Sequence, residues 1–259
     1  IEFENFTDDF NGGIKNIFIY GNVEFAYLTM YQNECYYVSI FNLSNKKEIF
    51  KTECLPDGEI NFNGVNFQNF TNLSEKKYIF NAKIVVGHVA RWHPIKGHKF
   101  FIKMASNLYK DNKNFRFVLV GSGIEWKNKE LVKLIEEYGL GSVVKLLGEQ
   151  QDISKILNSL DIYVSTSISE SFSLTLVEAI ACKVLSISSD TGIARDALSN
   201  DLCIVKTKSS SELVSAVKSL IELPSEDIIR IVDDSYKIIS EKFDERLMLD
   251  NYNNLYLSV

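Results

Sequence analysis

An α/β fold, with a Rossmann-like parallel sheet covered by helices on both faces, is what this chain predicts from residue 83 onward. Three observations predict it. Short apolar segments recur without polar alternation, the pattern of strands buried on both faces. Each is followed by a longer segment whose apolar residues recur at helical spacing. The two kinds alternate through residue 223, and repeated strand–helix units place their strands in one parallel sheet.

Taken in order, IKNIFIYG (residues 14–21) and YYVSIF (36–41) read as strands. LSNKKEIFKTE (43–53) reads as a helix capped by Ser44. A β-meander over Ile14 to Phe50 is the alternative for this region. Strands follow at 83–89, 115–121, 143–148, 161–166, 184–189 and 202–206. Between them lie helices near 98–110, 126–139, 152–159, 173–182 and 209–223. In the first of these, Phe100, Phe101, Met104, Ala105 and Leu108 form one apolar stripe. Residues 225–242 read as a further helix and 244–257 as a last, amphipathic one.

Composition narrows the function classes. The 259 residues are 46% hydrophobic and 24% charged, ordinary for a globular protein with an ample core. A formal charge of −6, with no basic stripe to offset it, argues against a nucleic-acid partner. No apolar run approaches the roughly 18 residues of a membrane span. The four cysteines are scattered without CxxC spacing and read as small buried hydrophobes of a reducing cytoplasm. His88, His93 and His98 recur every five residues, a spacing that spreads them around a helix axis; no metal site is expected.

In an open α/β sheet a ligand sits at the carboxyl ends of the strands. Every candidate site residue falls at such an end: Arg91 to Lys96, Gly121 to Gly123, Glu149 to Gln151 and Glu170 to Leu174. Glu170 and Glu178 flank the start of a helix near Ser173, whose first amides have no internal partners and favour an anion. One carboxylate on each side of a bound phosphate suits the layout of sugar, diphosphate and ribose. Arg91 and Lys96 are two cations within reach of a diphosphate, the first as a bidentate fork and the second as a point charge. Each feature also has an ordinary reading: a glutamate complementing a helix dipole, a solvated basic loop, a strand-to-helix turn at Gly121-Ser122-Gly123. The third glycine of a dinucleotide fingerprint would fall at Trp126, which disfavours an NAD-binding oxidoreductase.

The stretch Glu170-Ser-Phe-Ser-Leu-Thr-Leu-Val-Glu178-Ala-Ile-Ala-Cys182 resembles the signature of the retaining glycosyltransferases of family 4, enzymes of GT-B fold that use nucleotide-sugar donors. LLGEQQDISKILNSLDIYVSTSISESF (146–172), GHVARWHPIKGH (87–98) and NGVN (63–66) extend the resemblance in the same order and spacing, over about residues 60–259. It is nearest to members that build bacterial surface polysaccharides. Two departures stand out. Serines flank Phe172, and Lys183-Val184-Leu185 replaces the family's Gly-x-Pro after the helix, so no positive φ is expected at that helix exit.

The resemblance implies roles. Arg91 and Lys96 would stabilise charge on the departing diphosphate, and Glu170 would contact donor-sugar hydroxyls. Glu178 would take the ribose, the amides of Ser173 and Leu174 the distal phosphate, and the backbone around Glu149 and Gln150 the base. Gly121 and Gly123 would let the main chain approach the donor, and Phe172 would pack under the sugar or serve the core. No general base, metal or cofactor is implied. The expected substrate is a UDP- or GDP-type sugar, and the acceptor a growing glycan or lipid-linked glycan. The expected place is the cytoplasm, with peripheral association at the membrane face. Residues 1–78 are expected to hold part of an acceptor-side domain and the hinge, 79–243 the donor-binding domain, and 244–259 a crossover helix. Sixty residues are too few for a whole acceptor domain, so the chain is expected to begin inside one, to bind nucleoside diphosphate weakly and not to transfer sugar by itself. The competing class is a non-catalytic nucleotide-sugar-binding module.

Overall fold

Aromatic and β-branched residues dominate the segments before residue 52. In the computed structural model of the protein they form β1 (Ile14–Tyr20), β2 (Val23–Gln32), β3 (Cys35–Asn42) and β4 (Lys47–Lys51). The structure describes these strands as backbone, together with residues 64–71 and 84–250. The four strands pair antiparallel in chain order, a meander. The helix expected over 43–53 is thereby corrected: Lys47–Lys51 is a strand that pairs with β3 from Ser39↔Lys51 to Asn42↔Lys47. Five residues are too few for periodicity to separate strand from helix, and an available strand edge overrides the helical propensity of Lys and Glu. Ser44 lies outside the described residues. The strands are those of the alternative meander over Ile14 to Phe50; β2 is not delimited by itself in the sequence, because its few polar positions leave no alternation to detect.

By its contacts the chain divides into two compact units, residues 63–248 and residues 1–62 with 249–259. The larger unit contains all six strands expected there: β5 (Ile84–Val89), β6 (Phe115–Val120), β7 (Val144–Leu146), β8 (Ile162–Ser165), β9 (Leu185–Ser189) and β10 (Ile204–Val205). Its helices are α1 (Gln68–Thr71), α2 (His98–Asp111), α3 (Lys129–Glu137), α4 (Ile153–Leu157), α5 (Leu174–Ala181), α6 (Ala194–Ala197), α7 (Ser210–Ile221) and α8 (Ser225–Lys242). The sheet order is β10-β9-β8-β5-β6-β7, and every pair is parallel. Starting at β5, the chain winds outward to β7, crosses back to β8 and winds outward the other way. The order reverses between β5 and β8, where a doubly wound sheet opens its ligand crevice.

Two groups of helices cover the sheet. α2 packs with α3 and α7, and α5 packs with α4 and α8, which also meets α6. The side chains between are fully buried, among them Phe101, Phe117, Leu119, Tyr163 and Val164. Burying each such large apolar side chain contributes about 1.5–3 kcal/mol.

The reversal has a local cause. β5 and β8 pair only through Val86↔Ile162 and Gly87↔Tyr163. At their lower end Asp161 grips Val85 twice: its Oδ2 accepts from Val85 N at 2.8 Å, and its own N–H donates to Val85 O at 2.9 Å. Above Gly87 the ladder stops, and His88 Nδ1 donates to Val164 O at 2.8 Å in its place. A side chain spans the opening there, where a strand ladder would close it.

At the exit of α5 the structure overturns an expectation. Lys183 has φ 53, in the left-handed region. Lys183 N–H donates to Ile180 O at 2.8 Å and Val184 N–H to Ala179 O at 3.1 Å, the paired bonds of a Schellman ending. Satisfying two helix carbonyls and burying Val184 outweighs the roughly 1–2 kcal/mol of a left-handed lysine. Lys183 Nζ also meets Asp233 at 2.8 Å and lies 5.0 Å from the Tyr236 ring centroid.

Of NGVN, Asn63 lies outside the described residues. Val65 N–H donates to Phe243 O at 2.9 Å and Val65 O accepts from Glu245 N at 3.1 Å, so this segment runs beside the end of α8. Residues 245–250 are helical, and the rest of the last expected helix lies outside the described residues.

Candidate functional site

The segment after β5 is bent by a short 3-10 turn, Pro94–Lys96, with His93 as its cap. Gly97 follows with φ 69, and a Cβ on it would lie 1.9 Å from Thr166 O. This close approach joins the loop after β5 to the loop after β8. Thr166 Oγ1 donates to Lys96 O at 3.0 Å, and Ile168 N–H donates to Ile95 O at 2.7 Å. The third loop is stitched to the first as well: Ala90 N–H donates to Val120 O at 2.8 Å and Trp92 N–H to Ser122 O at 2.7 Å. Gly121 N–H reaches Gly148 O at 2.8 Å, which ties in the loop after β7. Four strand ends thus form one connected surface.

Over the β5–β8 crevice lies a cavity of about 240 Å³, lined by His88, Val89, Ala90, Arg91, Lys96, Tyr163, Ser165, Ser167, Glu170, Ser173 and Thr175. Four predicted residues meet there: Arg91, Lys96, Glu170 and Ser173. Arg91 is exposed, whereas Lys96 and Glu170 are half-buried and paired, Nζ to Oε1 at 2.5 Å. Ser167 Oγ donates to the same Glu170 oxygen at 2.8 Å. Ser173 is the buried N-cap of α5 and makes no side-chain cap bond.

The other predicted residues lie outside this lining. Gly121 and Gly123 stand one loop away, and Glu149 and Gln150 are exposed after β7, with Gln150 Nε2 donating to Leu147 O at 2.6 Å. Leu174 is exposed at the start of α5. Phe172 packs on the core, its ring 5.4 Å from and nearly perpendicular to that of Phe243. Glu178 lies three residues beyond Thr175, hence on the same helix face. It is half-buried, and loss of water raises its carboxyl above the usual range. A carboxylate so placed gains from hydroxyl donors. A larger cavity of about 460 Å³ is lined by Trp92, His98, Leu134 and Ile168 among others, and contains none of the predicted residues.

Sequence reasoning missed seven lining residues: Val89 and Ala90, and the polar or aromatic His88, Tyr163, Ser165, Ser167 and Thr175. The run of small hydroxylic residues in VSTSISESFSLT was the available signal, since Ser165, Thr166, Ser167 and Ser173 are all buried polar groups. Such groups are retained inside a fold where they have partners.

His88 and His98 are 1% and 2% exposed, with ring centroids 4.8 Å apart. Burial lowers His88 to about 4, and the positive charge of Lys96 adds to it despite the opposing bond to Val164. Burial, then His88 itself, lowers His98 to about 2. Both rings are neutral at pH 7, and the nitrogen facing each carbonyl carries the proton. The unfolded chain, with ordinary histidines near 6.5, binds protons that the folded chain refuses. Their contribution is therefore present above about pH 6.5 and is lost as pH falls. We expect the two histidines to lower the unfolding free energy by about 3–4 kcal/mol between pH 7 and 5, with the raised Glu178 carboxyl acting in the opposite direction. A flat denaturant-measured profile over that window would contradict the neutral pair.

Among the described residues no helix is long and apolar enough to cross a membrane, and no group of three or more His, Cys, Asp or Glu converges on a metal-sized point.

The chain is 32% identical over 206 residues to an N,N'-diacetylbacillosaminyl-diphospho-undecaprenol alpha-1,3-N-acetylgalactosaminyltransferase from Campylobacter jejuni, covering 74% of this chain and 52% of that protein. It spans about half the length, or less, of the curated relatives it matches first. Among solved structures it is similar to HepE from Anabaena in complex with UDP and glucose, with TM-score 0.68, 23% identity, and coverage of 76% of this chain and 55% of that one. The C-terminal domain of the glycosyl transferase group 1 protein LpcC from Francisella tularensis is covered completely by 70% of this chain, with TM-score 0.60 and 24% identity. The Rossmann-like unit thus has the fold of one half of a GT-B glycosyltransferase. Residues 69–236, which include both loops of the cavity, match the family described as glycosyl transferases group 1, and the chain belongs to it.

Proposed function

We propose that this chain carries the donor-binding half of a retaining hexosyltransferase. It would move a hexosyl group from a UDP- or GDP-sugar to a growing glycan or lipid-linked acceptor in bacterial polysaccharide, lipopolysaccharide or capsule synthesis. The observation that carries the proposal is the meeting of Arg91, Lys96, Glu170 and Ser173 around one cavity at the β5–β8 reversal.

In this reading the diphosphate lies across the start of α5. The first-turn amides and the two cations stabilise charge that builds on the leaving nucleoside diphosphate, a term that commonly dominates transfer chemistry. Glu170 accepts bonds from the sugar hydroxyls, and Glu178, further along α5, from the ribose. The backbone at Glu149 and Gln150 takes the base, while Gly121 and Gly123 let their turn pack closely on Ala90 and Trp92 of the loop after β5. The acceptor proton passes to the departing phosphate, so no side chain acts as base. No metal or cofactor takes part. The acceptor is placed from the opposite wall of the cleft, and the enzyme works in the cytoplasm, peripheral to the membrane.

Glu178→Gln tests the ribose assignment. It keeps the shape and removes the charge from two hydroxyl bonds, so UDP affinity should fall by about 1–3 kcal/mol. Calorimetry with 2′-deoxy-UDP should show a smaller loss. Equal losses for the two nucleotides would end the assignment.

A further inference from the structure

Lys96 and Glu170 are 74 residues apart in sequence, and in the structure they hold each other. One carboxylate oxygen receives both Lys96 Nζ at 2.5 Å and Ser167 Oγ at 2.8 Å. The two side chains are 23% and 14% exposed, so the pair stands largely out of water. Behind it the main chain is clamped by Thr166 Oγ1 on Lys96 O and by Ile168 N–H on Ile95 O. These bonds tie the two loops together, so the exchange of partners falls to the side chains.

A ligand that enters this cavity must replace that pair, and two ligands do so unequally. An intact nucleotide sugar supplies an anion to Lys96 and hydroxyl donors to Glu170. A nucleoside diphosphate supplies the anion alone, and leaves Glu170 with Ser167 and a nearby like charge. We propose that the Lys96–Glu170 pair is a selectivity latch: it disfavours bare nucleoside diphosphate relative to nucleotide sugar, and re-forms to expel the diphosphate once the sugar has left. This rests on the donor-site reading above.

The test is calorimetry of the 259-residue chain and its Glu170→Gln variant with UDP, UDP-glucose, GDP and GDP-mannose. The amide keeps the shape but releases Lys96, so the variant should bind the preferred diphosphate about 5- to 20-fold more tightly than the parent does. Its affinity for the matching nucleotide sugar should rise less than that or fall, because the sugar hydroxyls lose their charged acceptor, so the preference for the sugar form should shrink or invert. Glu170→Ala, followed alongside with circular dichroism to establish folding, should move the diphosphate in the same direction. A merely structural glutamate would weaken both ligands together. That result, or an unchanged diphosphate affinity, overturns the latch while leaving the donor site intact. Failure of the parent chain to bind any of the four ligands overturns the donor-site reading and the latch with it.

Discussion

Gly97→Ala should destabilise the 63–248 unit by about 3 kcal/mol or more. A left-handed alanine costs about 1–2 kcal/mol by itself. The larger part is steric: the new methyl carbon would sit 1.9 Å from Thr166 O, a backbone atom that cannot swing aside. The loop after β5 must then lift from the loop after β8, which stretches the Thr166–Lys96 and Ile168–Ile95 bonds. Gly139→Ala is the control. Gly139 has φ 68 but nothing within 4 Å of its Cβ direction, so its cost should stay near the conformational part alone. Urea denaturation of both variants reads the difference. Similar losses at the two positions would show that the loops are not joined as described. Because Gly97 follows Lys96, the variant should also lose nucleotide affinity under conditions where it is still folded.

Lys96→Ala should lower turnover roughly 10²-fold or more in a transferase that contains this chain, and Arg91→Ala should do the same. In the proposed donor site the change removes a cation where charge would develop on the departing diphosphate. Folding should respond unequally. Arg91 is exposed and its loss should hardly matter, whereas removing Lys96 leaves Glu170 largely out of water with Ser167 as its remaining partner, at a cost of about 1–3 kcal/mol. Steady-state kinetics with the donor varied, together with a denaturation curve, separate the two effects. Binding of uridine, which has no phosphates, should be nearly unchanged. Near-normal turnover in Lys96→Ala would remove this residue from the chemistry.

The sheet of the larger unit was legible because its strands are buried on both faces. Segments such as IVVGHV and FRFVLV are mostly apolar without alternation, so pattern alone found them within about two residues of their ends. The loops that carry Arg91, Lys96, Glu170 and Ser173 followed from that order, since a parallel α/β sheet presents its strand ends on one side. Short or context-dependent pieces were not legible. The helix expected across Lys47–Lys51 is a strand, because in five residues the neighbouring β3 decides more than local propensity does. Lys183 takes the backbone conformation usually left to glycine, because the carbonyls at the end of α5 demand it whatever residue stands there.

By itself, then, the sequence determined the α/β class, the order of strands along the chain and the loops after β5 and β8 that line the smaller cavity. These follow from burial and periodicity, which are properties of neighbouring residues. The tertiary structure alone decided that β5 and β8 separate above Gly87, that His88 spans the gap, and that Lys96 meets Glu170. Such contacts join residues more than seventy positions apart, and their geometry is set by packing over the whole sheet. No local pattern carries it.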